Sequence, residues 1–285
     1  MIRLVASDMD GTLLNRYGKV SPRNAAAIET LQRKNIGFMV CTGRNFEDAY
    51  APLWEAGISC DIICMNGAAV FDSRGRRLRK QPLLNSQVNN ILNICRPFSV
   101  LYDFMTEKGS HTTSCRAELR KSFEDKVFLP MVSDEHAYET IEKRFHFTTE
   151  EELLGSGSDI YKISVVHENP EVLKQIRFWL EKEEGISVAS SAPSNLELTH
   201  TRAQKGIALL EHAINSRIRP NEILAMGDSE NDLSMLSLPL GYTVAMGNAS
   251  EVIRRKARLT TRTNDEDGVA FAIEALILSE AAAAY

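Results

Sequence analysis

The sequence predicts an α/β protein, a parallel sheet core with helices on both faces, interrupted by an inserted α+β domain. Three observations lead there. Apolar runs alternate with amphipathic helical stretches at both ends of the 285-residue chain, which is the pattern of a parallel sheet covered on both sides. The middle, about residues 83–195, has a different texture, with alternating strands among helices. At about 150 residues per domain, the length suits roughly two domains.

In chain order, Ile2 to Ser7 reads as a buried strand, and a helix opens at Ser21 with Pro22 at its first position. Ile36 to Cys41 is the second strand. Asn45 to Gly57 carries Phe46, Ala49, Tyr50 and Leu53 at helical spacing, and Asp61 to Met65 is the third strand. In the middle, Val88, Ile91, Leu92 and Cys95 mark a helix, and Val100 to Phe104 and Asp159 to His167 mark strands. Helix Gln204 to Ser216 has Ile207, Leu210 and Ile214 on one stripe. Strand Ile223 to Met226 follows, then a helix through Leu236, strand Tyr242 to Met246, and a last helix with Val269, Ala272, Ile273, Leu276 and Ile277 on one face. The expected division is a core of residues 1–82 and 196–285, with residues 83–195 inserted.

Composition limits the function. With 44% hydrophobic and 25% charged residues the chain has the proportions of a globular protein, which excludes a disordered or fibrous one. Lys and Arg total 33 against 38 Asp and Glu, a net charge of −5, so nucleic acid and anionic membranes are not expected partners. A small-molecule substrate is. The start of the chain meets Asp8 and Asp10 before an export signal could develop. The uncharged run Leu233 to Ser250 contains Pro239, Gly241, Gly247 and Asn248, a poor lipid-facing helix. Five scattered cysteines (Cys41, Cys60, Cys64, Cys95, Cys115) make neither a disulfide framework nor a zinc motif, and a reducing cytoplasm fits them.

The chemistry gathers at polar turns that follow apolar strands. Asp8-Met9-Asp10-Gly11-Thr12 places two carboxylates two residues apart, able to bind a metal or to divide the roles of nucleophile and proton donor. A calcium loop fails, because the sixth position is Leu13 and the twelfth Lys19. Thr42-Gly43-Arg44 offers phosphate-binding donors at a strand-to-helix junction. Lys205-Gly206 opens a helix, and Gly227-Asp228-Ser229-Glu230-Asn231-Asp232 follows a strand. Each has an ordinary account as a turn or cap, but in open parallel sheets such turns share the rim at the carboxyl ends of the strands.

In the order D-x-D-G-T, T-G-R, K-G and G-D-x-x-N-D, these four motifs resemble those of the haloacid dehalogenase superfamily. The insertion of about 110 residues resembles the large α+β cap of its Cof-type branch. Asn66-Gly67-Ala68, Leu196-Glu197-Leu198, Val244 to Ala249 and Asp267 to Ala270 are similar to that branch too, whereas Ser237-Leu238-Pro239-Leu240 departs from the small turn usual there. The resemblance implies a Rossmann-like core and a phosphatase of small phosphorylated metabolites, such as sugar phosphates or phosphorylated cofactors. Asp8 would be the nucleophile that forms an aspartyl-phosphate. Asp10 would donate and then take a proton, which calls for burial or nearby negative charge. Mg²⁺ would be held by Asp8, the backbone carbonyl of Asp10, and Asp228. Met9, Thr42, Gly43, Lys205 and Asn231 would bind the phosphate, and Asp232 would orient Lys205 or a metal-bound water. The inserted domain would select the leaving group. Two other outcomes are carried forward, a phosphotransferase or mutase using the same intermediate and a phosphate-binding regulatory protein without useful turnover.

Other features read as structural. Arg74, Arg76, Arg77, Arg79 and Lys80 form a solvated hairpin. His111, His136, His146, His167, His200 and His212 lack metal spacing, and Trp54 and Trp179 pack on helices.

Overall fold

The computed structural model describes residues 1–128 and 137–279. His136 and the alanine tail Ala281 to Ala284 lie outside the described residues. The chain divides after Arg79 and after Gln204 into two units.

The first unit begins with strand β1 (Leu4–Ser7), helix α1 (Pro22–Arg33), strand β2 (Gly37–Cys41), helix α2 (Phe46–Glu55) and strand β3 (Asp61–Cys64). Strand β4 (Ala69–Phe71) and strand β5 (Arg77–Lys80) follow. Helix α1 starts where the sequence says, with Ser21 Oγ accepting from the Asn24 amide and Pro22 in the first turn. The basic run is a hairpin, closed by the Asp72 amide donating to the Arg76 carbonyl at 2.9 Å.

The second unit contains α3 (Asn85–Cys95), β6 (Leu101–Thr106), β7 (Gly109–Thr112), α4 (Arg116–Glu124), α5 (Ala137–Glu142) and β8 (Phe145–Phe147). It continues with α6 (Glu150–Gly155), β9 (Ile160–Val166), α7 (Pro170–Leu180), β10 (Ile186–Ala189) and β11 (Asn195–His200). Its six strands run in the order β10-β11-β9-β6-β7-β8. Phe104, Ile163, Val165, Leu196 and Leu198 pack with Val88, Ile91, Leu173 and Ile176 of α3 and α7. The expected border at 195/196 is therefore corrected. Strand β11 pairs antiparallel with β9 and β10, and its leucines are buried in this unit's core, so the division falls at Gln204/Lys205. The other border moves from 82/83 to 79/80, because Leu83 packs in the same core.

The chain returns to the first unit with α8 (Lys205–Asn215), β12 (Ile223–Gly227), α9 (Leu233–Leu236), β13 (Tyr242–Ala245), α10 (Glu251–Lys256), β14 (Leu259–Thr260) and α11 (Gly268–Ile273). Eight strands form one sheet in the order β14-β13-β12-β1-β2-β3-β4-β5. Pairings from β14 through β3 are parallel, with Leu4 beside both Ile223 and Gly37, and β4 returns antiparallel on β3. All four residues of β1 are buried. Because β12, β1 and β2 are adjacent and parallel, the turns after them open at one rim. Among the described residues no helix is long and apolar enough to cross a membrane.

Candidate active site

Asp8 leaves the end of β1, Thr42 the end of β2 and Asp228 the end of β12, while Lys205 is the first residue of α8. The Asp8 amide still bonds the Met226 carbonyl at 2.9 Å, which fixes where its side chain departs. Gly11 then turns the chain in the left-handed region (φ +74°), and a Cβ there would lie 2.5 Å from Asp228 Oδ2. Only glycine lets this loop close against Asp228. Asn248 and Asn264 donate to the carbonyls of Gly11 and Leu14 at 2.8 and 2.9 Å, holding the loop from the far side.

Lys205 is fully buried, and its Nζ lies 2.7 Å from both Asp8 Oδ1 and Asp232 Oδ1 and 3.4 Å from Asn231 Oδ1. It reaches them because Gly206 lets α8 press against the Ser234 carbonyl, where any Cβ would clash. Asp232 has both oxygens engaged, Oδ1 by Lys205 and Oδ2 by the amides of Asp228 and Ser229 at 2.9 and 3.0 Å. Asp228 accepts from Thr12 Oγ1 at 2.7 Å and Ser229 Oγ at 2.9 Å.

Asp8, Asp228 and Asp232 each offer an oxygen within 4.8 Å of the others. Three carboxylates facing one ammonium leave a buried surplus of negative charge, and the proton affinities register it. Burial, then Asp232, push the Asp8 carboxyl well above the usual range against the pull of Lys205. Burial, then Asp232, raise Asp228 to about 6. Burial pulls Lys205 down, but Asp232 and Asp8 outweigh it and keep it firmly protonated. A divalent cation fits such a donor set, since hard oxygen ligands with surplus charge are what Mg²⁺ takes.

Thr42 is fully buried, its amide donating to the Ile63 carbonyl at 2.8 Å and its carbonyl accepting from the Asn66 amide at 3.0 Å. Gly43 follows at the same rim. Met9 is fully buried in the core, so any contribution to phosphate binding falls to its main chain.

Asp10 differs from expectation. Its side chain is 56% exposed and faces an opposite charge, Arg44, not the buried or acidic surroundings the sequence led us to expect. Its carboxylate is not in the acidic cluster; the expected metal contact, through its backbone carbonyl, does not depend on the carboxylate.

Three residues near the cluster went without a role in the sequence reading. Asn66, in a left-handed turn after β3, accepts from Asn231 Nδ2 at 3.3 Å. Its signal was the Asn-Gly pair following a third apolar strand. Thr12 and Ser229, which hold Asp228, sit inside motifs already marked but carried no signal of their own.

With this geometry in place, comparison with known proteins identifies the class. The family model for haloacid dehalogenase-like hydrolases matches residues 5–273, and the chain belongs to that family. Phosphatase YwpJ of Bacillus subtilis (strain 168) is 32% identical over 286 residues, covering 97% of this chain and 100% of its own. The 5-amino-6-(5-phospho-D-ribitylamino)uracil phosphatase YwtE of the same organism is 28% identical, covering 97% of this chain and 98% of its own. A solved haloacid dehalogenase-like hydrolase from B. subtilis superposes with a TM-score of 0.87 at 32% identity, over 97% of this chain and 100% of that one.

Proposed function

We propose that this protein is a Mg²⁺-dependent phosphatase of small phosphorylated metabolites that works through an aspartyl-phosphate on Asp8. The observation that carries the reading is the buried convergence of Asp8, Lys205, Asp228 and Asp232, distant in sequence, with more carboxylate than cation. The chain is a phosphoric monoester hydrolase, the class for which its relatives are named.

Asp8 attacks phosphorus in line, its oxygen bonding to phosphorus as the ester P–O bond breaks, and Asp10 gives its proton to the leaving alcohol. A water then attacks the aspartyl-phosphate, Asp10 takes a proton from it, and the Asp8 carboxylate is released with inorganic phosphate. Lys205, Thr42, Gly43, Asn231 and the main chain at Met9 bind the phosphoryl oxygens, with Asp232 fixing the direction of Lys205. Asp8, the main-chain carbonyl of Asp10, and Asp228 are the residues to hold Mg²⁺. Bound there, the ion would offset the repulsion between an anionic nucleophile and an anionic phosphate.

The phosphorylated ribitylamino-uracil in the name of YwtE supports a polar metabolite as leaving group, and sugar phosphates and phosphorylated cofactors are the compounds to try first. The free thiols of Cys41, Cys60, Cys64 and Cys95, all buried, suit a reducing compartment such as the cytoplasm. The test is phosphate release from a panel of phosphorylated metabolites with and without Mg²⁺. Release that requires Mg²⁺ and is lost in Asp8→Asn is expected; release at an unchanged rate in Asp8→Asn overturns the mechanism.

A further inference from the structure

The phosphatase mechanism leaves Arg44 without work, yet its side chain is held at the rim by three hydrogen bonds. Its Nε donates to Asp10 Oδ2 at 2.8 Å and its Nη2 to Asp10 Oδ1 at 2.5 Å, the two-pronged arrangement in which a planar guanidinium fixes a carboxylate's direction. A third N–H, on Nη1, donates to the Asp48 main-chain carbonyl in the first turn of α2 at 3.0 Å. The main chain of Arg44 is held as firmly. Its amide donates to Thr42 Oγ1 at 3.1 Å, and its carbonyl accepts from the Met65 amide at 2.9 Å. One residue thus ties three parts together: the loop after β2, the start of α2, and the carboxylate of the loop after β1.

Stability does not explain this arrangement. The Asp10 side chain is more than half exposed, and ion pairs so open to water contribute little. Nor is the guanidinium a loose phosphate clamp, because three of its N–H groups are committed to Asp10 and Asp48. What the contact does fix is where Asp10 points. The segment Met9–Leu13 has extended backbone at Asp10 (φ −76°, ψ 125°) just before the left-handed Gly11, so no regular helix imposes a direction on that side chain. Resting on the phosphatase reading, we propose that Arg44 is the positioning residue of Asp10, setting the direction from which Asp10 passes its proton to the leaving oxygen.

The first half-reaction supplies the readout. The Asp8–phosphorus bond forms, the ester P–O bond breaks, and the proton of Asp10 ends on the leaving oxygen. An alkoxide needs that proton; p-nitrophenolate leaves without it. A residue acting through Asp10 must therefore matter more for an alkyl ester than for the nitrophenyl ester. The ratio kcat/KM is the quantity to compare, because it covers the steps up to departure of the alcohol.

The experiment uses the full chain with Mg²⁺, glycerol 1-phosphate and p-nitrophenyl phosphate, and the variants Arg44→Met, Arg44→Lys, Asp10→Asn and the double Asp10→Asn/Arg44→Met. Arg44→Met is expected to lower kcat/KM for glycerol 1-phosphate by about 10- to 100-fold, the scale of a misaimed proton donor, and for p-nitrophenyl phosphate by less than about threefold. The inhibition constant of inorganic phosphate should stay within about threefold of the wild-type value, and the double variant should be no slower than Asp10→Asn alone. Arg44→Lys, which keeps the charge and loses the fork, should recover part of the loss and stands in if the methionine variant fails to fold. Equal losses on the two esters, additive losses in the double variant, or phosphate inhibition that weakens in step with kcat/KM would each overturn the role given to Arg44. A wild-type protein that hydrolyses neither these esters nor any of a wider panel overturns the phosphatase reading itself, and this inference with it.

Discussion

Both units bury a lysine, and the two are held differently. Lys205 of the first unit touches two carboxylates at 2.7 Å, with a third acid, Asp228, close by. Lys162 of the second unit pairs with Glu197 at 3.0 Å, and Ser191 Oγ donates to the same Glu197 oxygen at 3.1 Å. The first cluster is short of positive charge; in the second, one lysine meets one glutamate. A folded chain tolerates a buried, unmatched cluster only at a cost, and such clusters concentrate where a ligand or a reaction supplies the missing charge. A pair of opposite charges on a sheet face needs no such explanation. Perturbation should therefore separate the two lysines, with function lost at one and stability at the other.

The largest separation comes from the nucleophile. Asp8→Asn removes the attacking oxygen and with it one of the surplus negative charges. Phosphate release should fall by more than about 10³-fold, while the thermal midpoint without Mg²⁺ stays level or rises, because burial already disfavours the charged form of Asp8. Calorimetry on both proteins checks this. A clear fall in the midpoint would mean that the negative charge of Asp8 is what holds Lys205 in place.

The lysines come next. Lys162→Met leaves Glu197 buried opposite an apolar side chain and should cost about 3–5 kcal/mol by denaturant titration. Replacing both partners, Lys162→Met with Glu197→Met, should recover most of that loss, since a buried ion pair exchanged for apolar groups of similar size is close to neutral. Lys205→Met should instead abolish turnover, and no second substitution at Asp232 should bring it back. If the apolar double variant at 162 and 197 stays as unstable as the single one, the pair is not an isolated match and the contrast between the two units fails.

Why one lysine was legible and the other was not follows from their surroundings. Lys205 stood beside Gly206 at a helix start, with three polar turns after apolar strands to accompany it, and chemistry that needs several groups at once leaves several marks. Lys162 stood in Ile160–Val166 among alternating residues, where a polar position reads as the solvent side of a strand. All seven residues of that strand are buried. Periodicity tells which face a residue occupies, not whether something covers that face, and here Leu101 and Val166 lie in a second apolar cluster with Leu119 and Phe123 of α4. The same limit bears on the border expected at 195/196, where the stretch that pairs with β9 and β10 was placed on the core side. It explains Asp10 as well, since the spacing of two acids in one loop does not reveal that a guanidinium from the next loop grips one of them.

Metal addition tests the charge deficit directly. At a Mg²⁺ concentration about 100 times its dissociation constant, binding to the folded form alone should add about 2.7 kcal/mol of stability. The rise in thermal midpoint should be nearly absent in Asp228→Asn and fully present in the paired variant at 162 and 197. An undiminished rise in Asp228→Asn would place the metal away from this cluster.

The smallest effect belongs to a pair whose arginine is exposed, far in character from either lysine. Glu222 accepts from Arg219 Nη2 at 3.0 Å and from the Arg219 amide at 2.9 Å, and these bonds lower its carboxyl to about 2 from the usual 4.5. The folded chain thus binds this proton less readily than the unfolded chain, so whatever stability the pair contributes is complete above about pH 4.5 and is lost as pH falls toward 2. Comparing Glu222→Gln with the wild type in denaturant titrations across that range, the gap in midpoint should be small at pH 7 and close on acidification. The Arg219 side chain is 75% exposed, so the gap should also shrink in high salt. The buried Lys162–Glu197 pair lies beyond the reach of screening ions, and the cost of Lys162→Met should hardly change with salt. Equal salt sensitivity in the two would mean that burial does not set them apart.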